Sequence, residues 1–411
     1  MKKKKSKLLW KNAPKVALLL ESSHESSRGM IRGVLKYARH NGDWQIELVH
    51  GGPNDLYLPD LSVWKGDGAL GRIRNEMTAQ IVLSSKLPFV LVDPETHYLA
   101  PESPFYAYSS VSCDSVAVAR LAAEHLTRLG FESYAYVGDV VSSVWSITRE
   151  RAFCDEIENR GLSCAVYPIP PVGKRTHEAE ESRLVRWLKN LQTPVGIFAS
   201  NDQRGVQLLH VCRLAGLRVP YDAAVLGVNN DELVCRTTRP ELSSVGLDSE
   251  FAGYEAARIL DERMRGIATE REIVTFGPTE VFVRGSTRGD TLKNVKVVDA
   301  LDFIRVNAGC NISVSDVARH VGLSRQWIGR LFLKERGRTI YDEIQIARNK
   351  VALRMIEETD MPISKIGKRC GFVDGKRLNV LFRRHFGMSP SKYREQCRRA
   401  TEHERIAAED D

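Results

Sequence analysis

No stretch of the 411-residue sequence approaches eighteen consecutive apolar residues, so no membrane-spanning helix is expected. Lys2 to Lys5 followed by Val16 to Leu20 has the order of a secretion signal, but the apolar part is five residues long before Glu21 interrupts it. That is too short for a signal's hydrophobic region, and Lys2 to Lys11 reads instead as a basic tail. The eight cysteines, at 113, 154, 164, 212, 235, 310, 370 and 397, form no C-x-x-C pair and no cysteine-histidine cluster at metal spacing. This fits reduced thiols in a cytoplasmic protein and predicts no metal site. The sequence also lacks a G-x-x-x-x-G-K-[ST] loop, a G-x-S-x-G elbow and an H-E-x-x-H helix, so phosphate cradles and activated nucleophiles are missing, and neither an enzyme nor a cofactor is expected. One pattern, Gly66-x-Gly68-x-x-Gly71, has the spacing of a dinucleotide fingerprint, with Asp93 following about twenty residues on. No apolar strand precedes it, however, and Ala69 to Ile73 itself reads as the strand.

What the sequence does contain is a repeat. Val317, Ala318, Val321, Gly322, Leu323, Ile328, Leu331, Phe332, Gly337 and Tyr341 are answered about fifty residues on by Ile366, Gly367, Cys370, Gly371, Phe372, Leu378, Leu381, Phe382, Gly387 and Tyr393. Each unit spells a helix, a tight turn and a second helix. Ala318 and Gly367 permit a close helix crossing, and Gly322 and Gly371 tolerate the positive φ that ends the first helix. Apolar residues then return at helical period, which is a helix-turn-helix whose second helix fits a DNA major groove. Tyr341 to Glu358 forms a connecting helix of roughly 27 Å at 1.5 Å per residue, suited to placing two reading heads in successive grooves.

Charge agrees with this placement. Residues 288 to 411 hold 25 Lys+Arg against 17 Asp+Glu, a surplus equal to the formal net charge of +8 for the whole chain. The first 287 residues are balanced at 35 against 35, and six of those lysines lie in the first eleven positions. Basic surface is therefore concentrated where phosphates would be met.

From Lys15 onward short apolar runs alternate with helical patterns. Val16 to Leu20, Gln45 to Val49, Phe89 to Val92, Ala135 to Val137, Val195 to Ala199 and Ala224 to Val228 read as buried parallel strands. Arg28 to His40, Ser115 to Leu129, Arg149 to Asn159, Glu178 to Leu191 and Gln203 to Ala215 read as helices between them. The succession argues for two doubly wound sheets with a cleft between two lobes. Ligands of such sheets bind outside the carboxyl ends of the strands. The polar residues at those ends are Glu21, Ser22, Ser23, Ser26, Ser27 and Arg28; Asp93; Asp114; Ser200, Asn201 and Asp202; and Asn229, Asn230 and Asp231. With Arg149 and the indole of Trp145 they suit a neutral polyol, because amides and carboxylates serve hydroxyls and a flat aromatic covers a sugar's C–H face. Each Asx residue taken singly could equally be a helix cap.

Residues 14 to 286 resemble the sugar-sensing core of the LacI/GalR regulators. The resemblance rests on Asp114 with Ala122, His125, Leu126 and Gly130; on Arg149 with Ala152 and Phe153; and on Ala199-Ser200-Asn201-Asp202-Gln203, leading through Gly216, Val219 and Pro220 to Val225-Leu226-Gly227. Residues 298 to 395 resemble the AraC-type DNA-binding domain, including Gly387-Met388-Ser389-Pro390 and Tyr393-Arg394. The combination is that of the xylose operon regulators.

The resemblance implies an α/β two-lobed, periplasmic-binding-protein-like domain of type I, followed by an all-α domain with two helix-turn-helix units. It divides the chain into a basic tail (1–13), the sensing domain (14–286), a linker (287–297), the DNA-binding domain (298–397) and a charged tail (398–411). It also implies a cytoplasmic activator that binds operator DNA and a small sugar, xylose or another pentose, acts as a homodimer and works with RNA polymerase. The ligand residues it points to are Glu21, Ser26, Asp114, Trp145, Arg149, Asn201, Asp202 and Asn229. Arg149 would hold ligand hydroxyls, Asn201 would be an amide contact and Asn229 the last strand-end contact. The family usually has Asp where Asn229 stands, and an uncharged amide shifts ligand preference.

On the DNA side, helical period places Arg325, Gln326, Gly329 and Arg330 opposite Ile328, Leu331 and Phe332, with Ser324 at the helix start. Arginine suits the O6/N7 edge of guanine and glutamine the N6/N7 edge of adenine. Lys376 and Asn379 hold comparable positions in the second unit, while Val380 stands where the family often has Arg. Arg336, Arg383 and Arg384 are placed for phosphates. Trp327 reads as core between the first head and the connecting helix. A solute-binding protein serving a transporter would need export, and the repeat would have no purpose there.

Overall fold

The computed structural model describes residues 12–48, 64–139, 143–169, 176–268, 270–288, 295–372, 378–380, 382–383 and 388–397. Contacts divide the chain into two compact units, Met1–Gly289 and Asp290–Asp411.

The first unit begins with β1 (Lys15–Leu19), α1 (Glu25–Asn41), β2 (Gln45–Leu48), β3 (Gly68–Gly71), α2 (Glu76–Ser85), β4 (Phe89–Val92), β5 (Ser109–Cys113) and α3 (Ser115–Thr127). It continues through β6 (Ser133–Val137), α4 (Val144–Glu158), β7 (Ser163–Val166), α5 (His177–Lys189), β8 (Val195–Ala199), α6 (Asp202–Ala215), β9 (Ala223–Val228) and the short α7 (Glu232–Cys235). It closes with β10 (Ser243–Leu247), α8 (Ser249–Met264), β11 (Ile273–Phe276) and β12 (Pro278–Phe282).

These strands form two six-stranded sheets, ordered β11-β5-β4-β3-β1-β2 and β12-β10-β9-β8-β6-β7. Every strand pairing is parallel except β10 with β12. Helices cover both faces, so the central strands β4 and β8 are apolar along their length and buried, as is β1 from Val16 onward, as parallel sheets require.

The chain passes between the lobes three times, at 113–115, 247–249 and 276–278. The three crossings lie side by side: the Asp114 backbone N–H donates to the Phe276 carbonyl at 2.8 Å, and that of Asp248 to the Gly277 carbonyl at 3.1 Å. Helix α8 thus follows a strand of the second lobe but packs against α1 in the first. The helices cross closely enough that a Cβ on Gly33 would lie 2.0 Å from the Glu250 carbonyl oxygen, and one on Gly253 1.9 Å from that of Met30. The glycine fingerprint at 66–71 resolves as strand: Gly68 and Gly71 bound β3 in the middle of the first sheet.

The second unit contains α9 (Val295–Val306), α10 (Val314–His320), α11 (Arg325–Arg336), α12 (Ile340–Glu358) and α13 (Ile363–Arg369), with further helical residues at 378–380, 382–383 and 390–397. Gly322 and Gly371 have φ of +67° and +73°, the left-handed turn that separates the helices of each repeat. Helices α10 and α12 start with reciprocal capping boxes, Ser313 with Asp316 and Thr339 with Asp342. Two cores result. Val317, Ile328 and Phe332 pack with Ile340 and Ile344 of α12, while Ile366, Cys370, Leu378 and Phe382 pack with its Ala352 and Ile356. Between these α12 clusters the buried Arg348 donates from Nη2 to the Ile312 carbonyl at 2.8 Å and to Asn311 Oδ1 at 3.2 Å. A Cβ on Gly371 would lie 3.0 Å from the same guanidinium, so Arg348 touches both repeats.

Candidate ligand cleft and DNA-reading surface

The strand-end residues converge on the cleft between the lobes. On the first lobe Arg72, directly after β3, is buried and donates from Nη1 to Ser27 Oγ at 2.6 Å and Glu21 Oε1 at 3.3 Å, and from Nη2 to Asp93 Oδ2 at 2.9 Å. Arg74 adds a 2.9 Å bond to Glu21. Burial alone would raise the pKa of the Glu21 carboxyl, but Arg72 and Arg74 outweigh it and hold the group below its ordinary value. Asp93, in the left-handed region at φ 42°, also accepts from the Cys113 backbone at 2.9 Å. His24 faces the same network, and burial disfavours its charged form.

On the second lobe Arg149, 4% exposed, projects from α4 and donates from Nη1 to the Ser200 carbonyl at 2.7 Å. Its Nη2 lies 3.6 Å from Cys113 Sγ, at the first crossing. The Trp145 ring lies one turn earlier with its centroid 4.8 Å from the guanidinium carbon, within cation–π range. Nε of Arg149 is buried and has no hydrogen-bond partner among the described residues, which is costly for a donor unless a ligand supplies an acceptor. Asn229 occupies the end of β9 at φ 105°, a strained conformation for a residue with a Cβ. Its backbone N–H donates to the Val245 carbonyl at 2.9 Å.

Capping is part of the account for several of these positions. Asp114 caps α3 through a 2.9 Å bond from the Ala117 backbone, Asn201 caps α6 through a 2.8 Å bond from that of Arg204, and Asp231 caps α7. Asp114 remains exposed and Asn201 half-buried, so each can present polar surface beyond its cap. Asp202 is different: it is fully enclosed. Its oxygens accept from Ser244 Oγ at 2.5 Å and from the Asp231 backbone at 2.7 Å. Enclosure overrides the expectation that it meets ligand and makes it a brace for the strand ends. Ser26 is half-buried in the first turn of α1.

Contacts across the cleft join the lobes. Arg28 Nη2 donates to Asp231 Oδ2 at 2.6 Å, and Glu95 Oε2 accepts from the Val144 backbone at 3.3 Å, a carboxylate at the N-terminus of α4 where the helix dipole favours it. Arg72, Arg74, Glu95 and His24 were not among the expected site residues. The sequence pattern runs this strand from Ala69 to Ile73, two residues beyond its end at Gly71, which puts Arg72 inside the strand instead of at its carboxyl end.

In the second unit Ser324 Oγ caps α11 by accepting from the Trp327 backbone at 3.2 Å. Arg325, Gln326 and Arg330 are exposed on α11; Gln326 and Arg330 make no hydrogen bond among the described residues, and Arg325 reaches Ser315 Oγ at 3.5 Å. Arg336 departs from the expected phosphate role, because it is largely buried and its Nε pairs at 3.1 Å with the buried Glu343 of α12. Trp327 is not core: it is 55% exposed, because the packed stripe of α11 runs through Ile328 and Phe332 and leaves the preceding residue outside it. Asn379, Val380 and Arg383 are exposed, while Lys376 and Arg384 lie outside the described residues.

Comparison with known proteins fits both units. Residues 123–287 match the periplasmic binding protein-like domain, and residues 317–396 match a helix-turn-helix domain. The chain thus joins a periplasmic-binding-protein-like domain to a helix-turn-helix domain, and the relatives it resembles over most of its length are transcription regulators rather than enzymes. In particular it is similar to the xylose operon regulatory proteins of Haemophilus influenzae, at 27% identity over 390 residues covering 93% of this chain and 98% of the relative, and of Escherichia coli, at 27% over 384 residues covering 93% and 97%. The solved structure of the xylose-binding transcription activator xylR matches with a TM-score of 0.78 at 25% identity, covering 94% of this chain and 99% of that one. A complex of the regulator CelR with cellobiose shares the fold, with a TM-score of 0.53 at 22% identity over 68% of this chain and 86% of that one. No helix among the described residues is long and apolar enough to cross a membrane, and none of their side chains group as a metal site.

Proposed function

We propose that the chain is a sugar-responsive activator whose effector, xylose or another pentose, binds in the cleft and shifts affinity for operator DNA. The observation that carries this reading is the buried Arg149 guanidinium, flanked by Trp145 and anchored to Ser200, with Nε left to serve a hydroxyl. Asn229 would add a neutral amide, and Glu21, Ser26, Asp114 and Asn201 the remaining polar rim, while Asp202 supports the site from behind. The sugar's C–H face would rest on the indole. Similarity to xylose operon regulators supports a pentose; the amide at Asn229 leaves room for one other than xylose.

Closure is the step by which ligand acts. Contacts such as Arg28 to Asp231 form only when the lobes meet, so a sugar bridging both lobes favours that state by its differential affinity. Two copies joined as a homodimer would then present paired readers to the operator in the cytoplasm, in reach of RNA polymerase. Arg325, Gln326, Arg330 and Asn379 are assigned to base edges and Arg383 to phosphate. Thermal denaturation with a panel of pentoses and hexoses tests the sensor: a pentose should raise the melting temperature most, and no shift with any sugar would remove the sugar from this proposal.

A further inference from the structure

Two features of α11 are unexplained by its own packing. Gly329 stands in mid-helix, where glycine is unfavourable relative to alanine, yet a Cβ there would meet nothing within 4 Å. No element among the described residues needs the space. Trp327, in the first turn, is 55% exposed, leaving a large apolar side chain in water. With Ile328 and Phe332 buried, helical geometry puts Gly329 and Trp327 on the two borders of the exposed arc that carries Gln326 and Arg330.

We propose that Gly329 and Trp327 determine sequence specificity in the first reader. The missing side chain at Gly329 lets the α11 backbone lie against the duplex, bringing Gln326 and Arg330 within reach of base edges. Trp327 lays its indole on the C5-methyl group of a thymine, the apolar mark of the major groove. This rests on the DNA-reading function proposed above and deepens it.

The test uses the full chain and a randomised duplex pool, from which the most enriched duplex becomes the probe. If the wild-type chain enriches no sequence, the DNA-reading proposal fails and this inference falls with it. If it does enrich one, Gly329→Ala should melt at the wild-type temperature or above, since its methyl has room, and bind the probe at least about tenfold more weakly. Unchanged affinity overturns the close approach, as does a lowered melting temperature, which would mean the space is filled. Trp327→Ala and replacement of probe thymines by uracil should each weaken binding severalfold, and in combination no further than either alone. Additive losses, or no loss with uracil, overturn the methyl contact.

Discussion

Arg28 at the start of α1 and Asp231 at the start of α7 form a 2.6 Å ion pair that ties one lobe of the first unit to the other. Asp231 is 2% exposed at its side chain, so opening the cleft strips a buried carboxylate of its partner. Arg28 is also held by Glu25 at 3.1 Å and by the Ser22 carbonyl at 3.0 Å, which keep its fork aimed across the gap.

Arg28→Ala should therefore weaken closure more than folding. A hydrogen bond to a charged group is worth about 1.5 to 3 kcal/mol, so affinity for the most stabilising sugar is expected to fall by about tenfold or more. Calorimetric titration measures this, and an unaltered sugar affinity would show that the pair takes no part in closure.

Arg149→Ala should abolish the sugar-induced thermal shift while the protein still binds DNA in the absence of sugar. Trp145→Ala should weaken sugar binding by about 1 to 2 kcal/mol through loss of the stacking face. Retention of the full shift in Arg149→Ala would refute the assignment of its guanidinium to the ligand.

Stability should carry an unusual pH dependence from Asp202, whose carboxyl burial pushes from 3.8 up to about 7 in spite of bonds from Ser244, the Asp231 backbone and Cys235. A folded pKa above the unfolded one means the native state holds the proton more tightly, so the stability it contributes is complete below 3.8 and lost as pH rises through about 7. Relative to Asp202→Asn, the wild-type melting temperature should fall as pH rises from about 4 to about 7 and level off above that. Parallel curves for the two proteins would contradict the raised pKa.

Arg330→Ala should weaken operator binding by about 1 to 3 kcal/mol and relax base preference at one position. Gln326→Ala should do the same at a neighbouring position. Equal losses on operator and on random duplex would reassign either residue to the phosphate backbone.

The helix-turn-helix repeat was readable because its glycines and apolar periods are local. The β1, β4 and β8 strands were readable because parallel strands buried on both faces are uninterrupted apolar runs. Strands β5 and β10 escaped because they begin Ser109-Ser110 and Ser243-Ser244, polar pairs that are nevertheless fully buried. Ser109 Oγ is satisfied by Arg263 and the Glu272 backbone, and Ser243 Oγ by the backbone of Arg284, partners more than forty residues away that no local pattern announces. The same limit applied to Arg72, whose three bonds join segments far apart in sequence, and to Trp327, where apolar character suggested burial that the helix's rotation denies.

Arg348 lies between two small cores that share one helix, bonded to the entrance of the first repeat and packed under the turn of the second. A joint of that kind makes α12 a ruler with little give: the heads cannot slide apart to follow DNA whose two recognition elements fall out of phase. Operators lengthened by a single base pair between those elements should lose the second contact outright, and the footprint should contract to one groove.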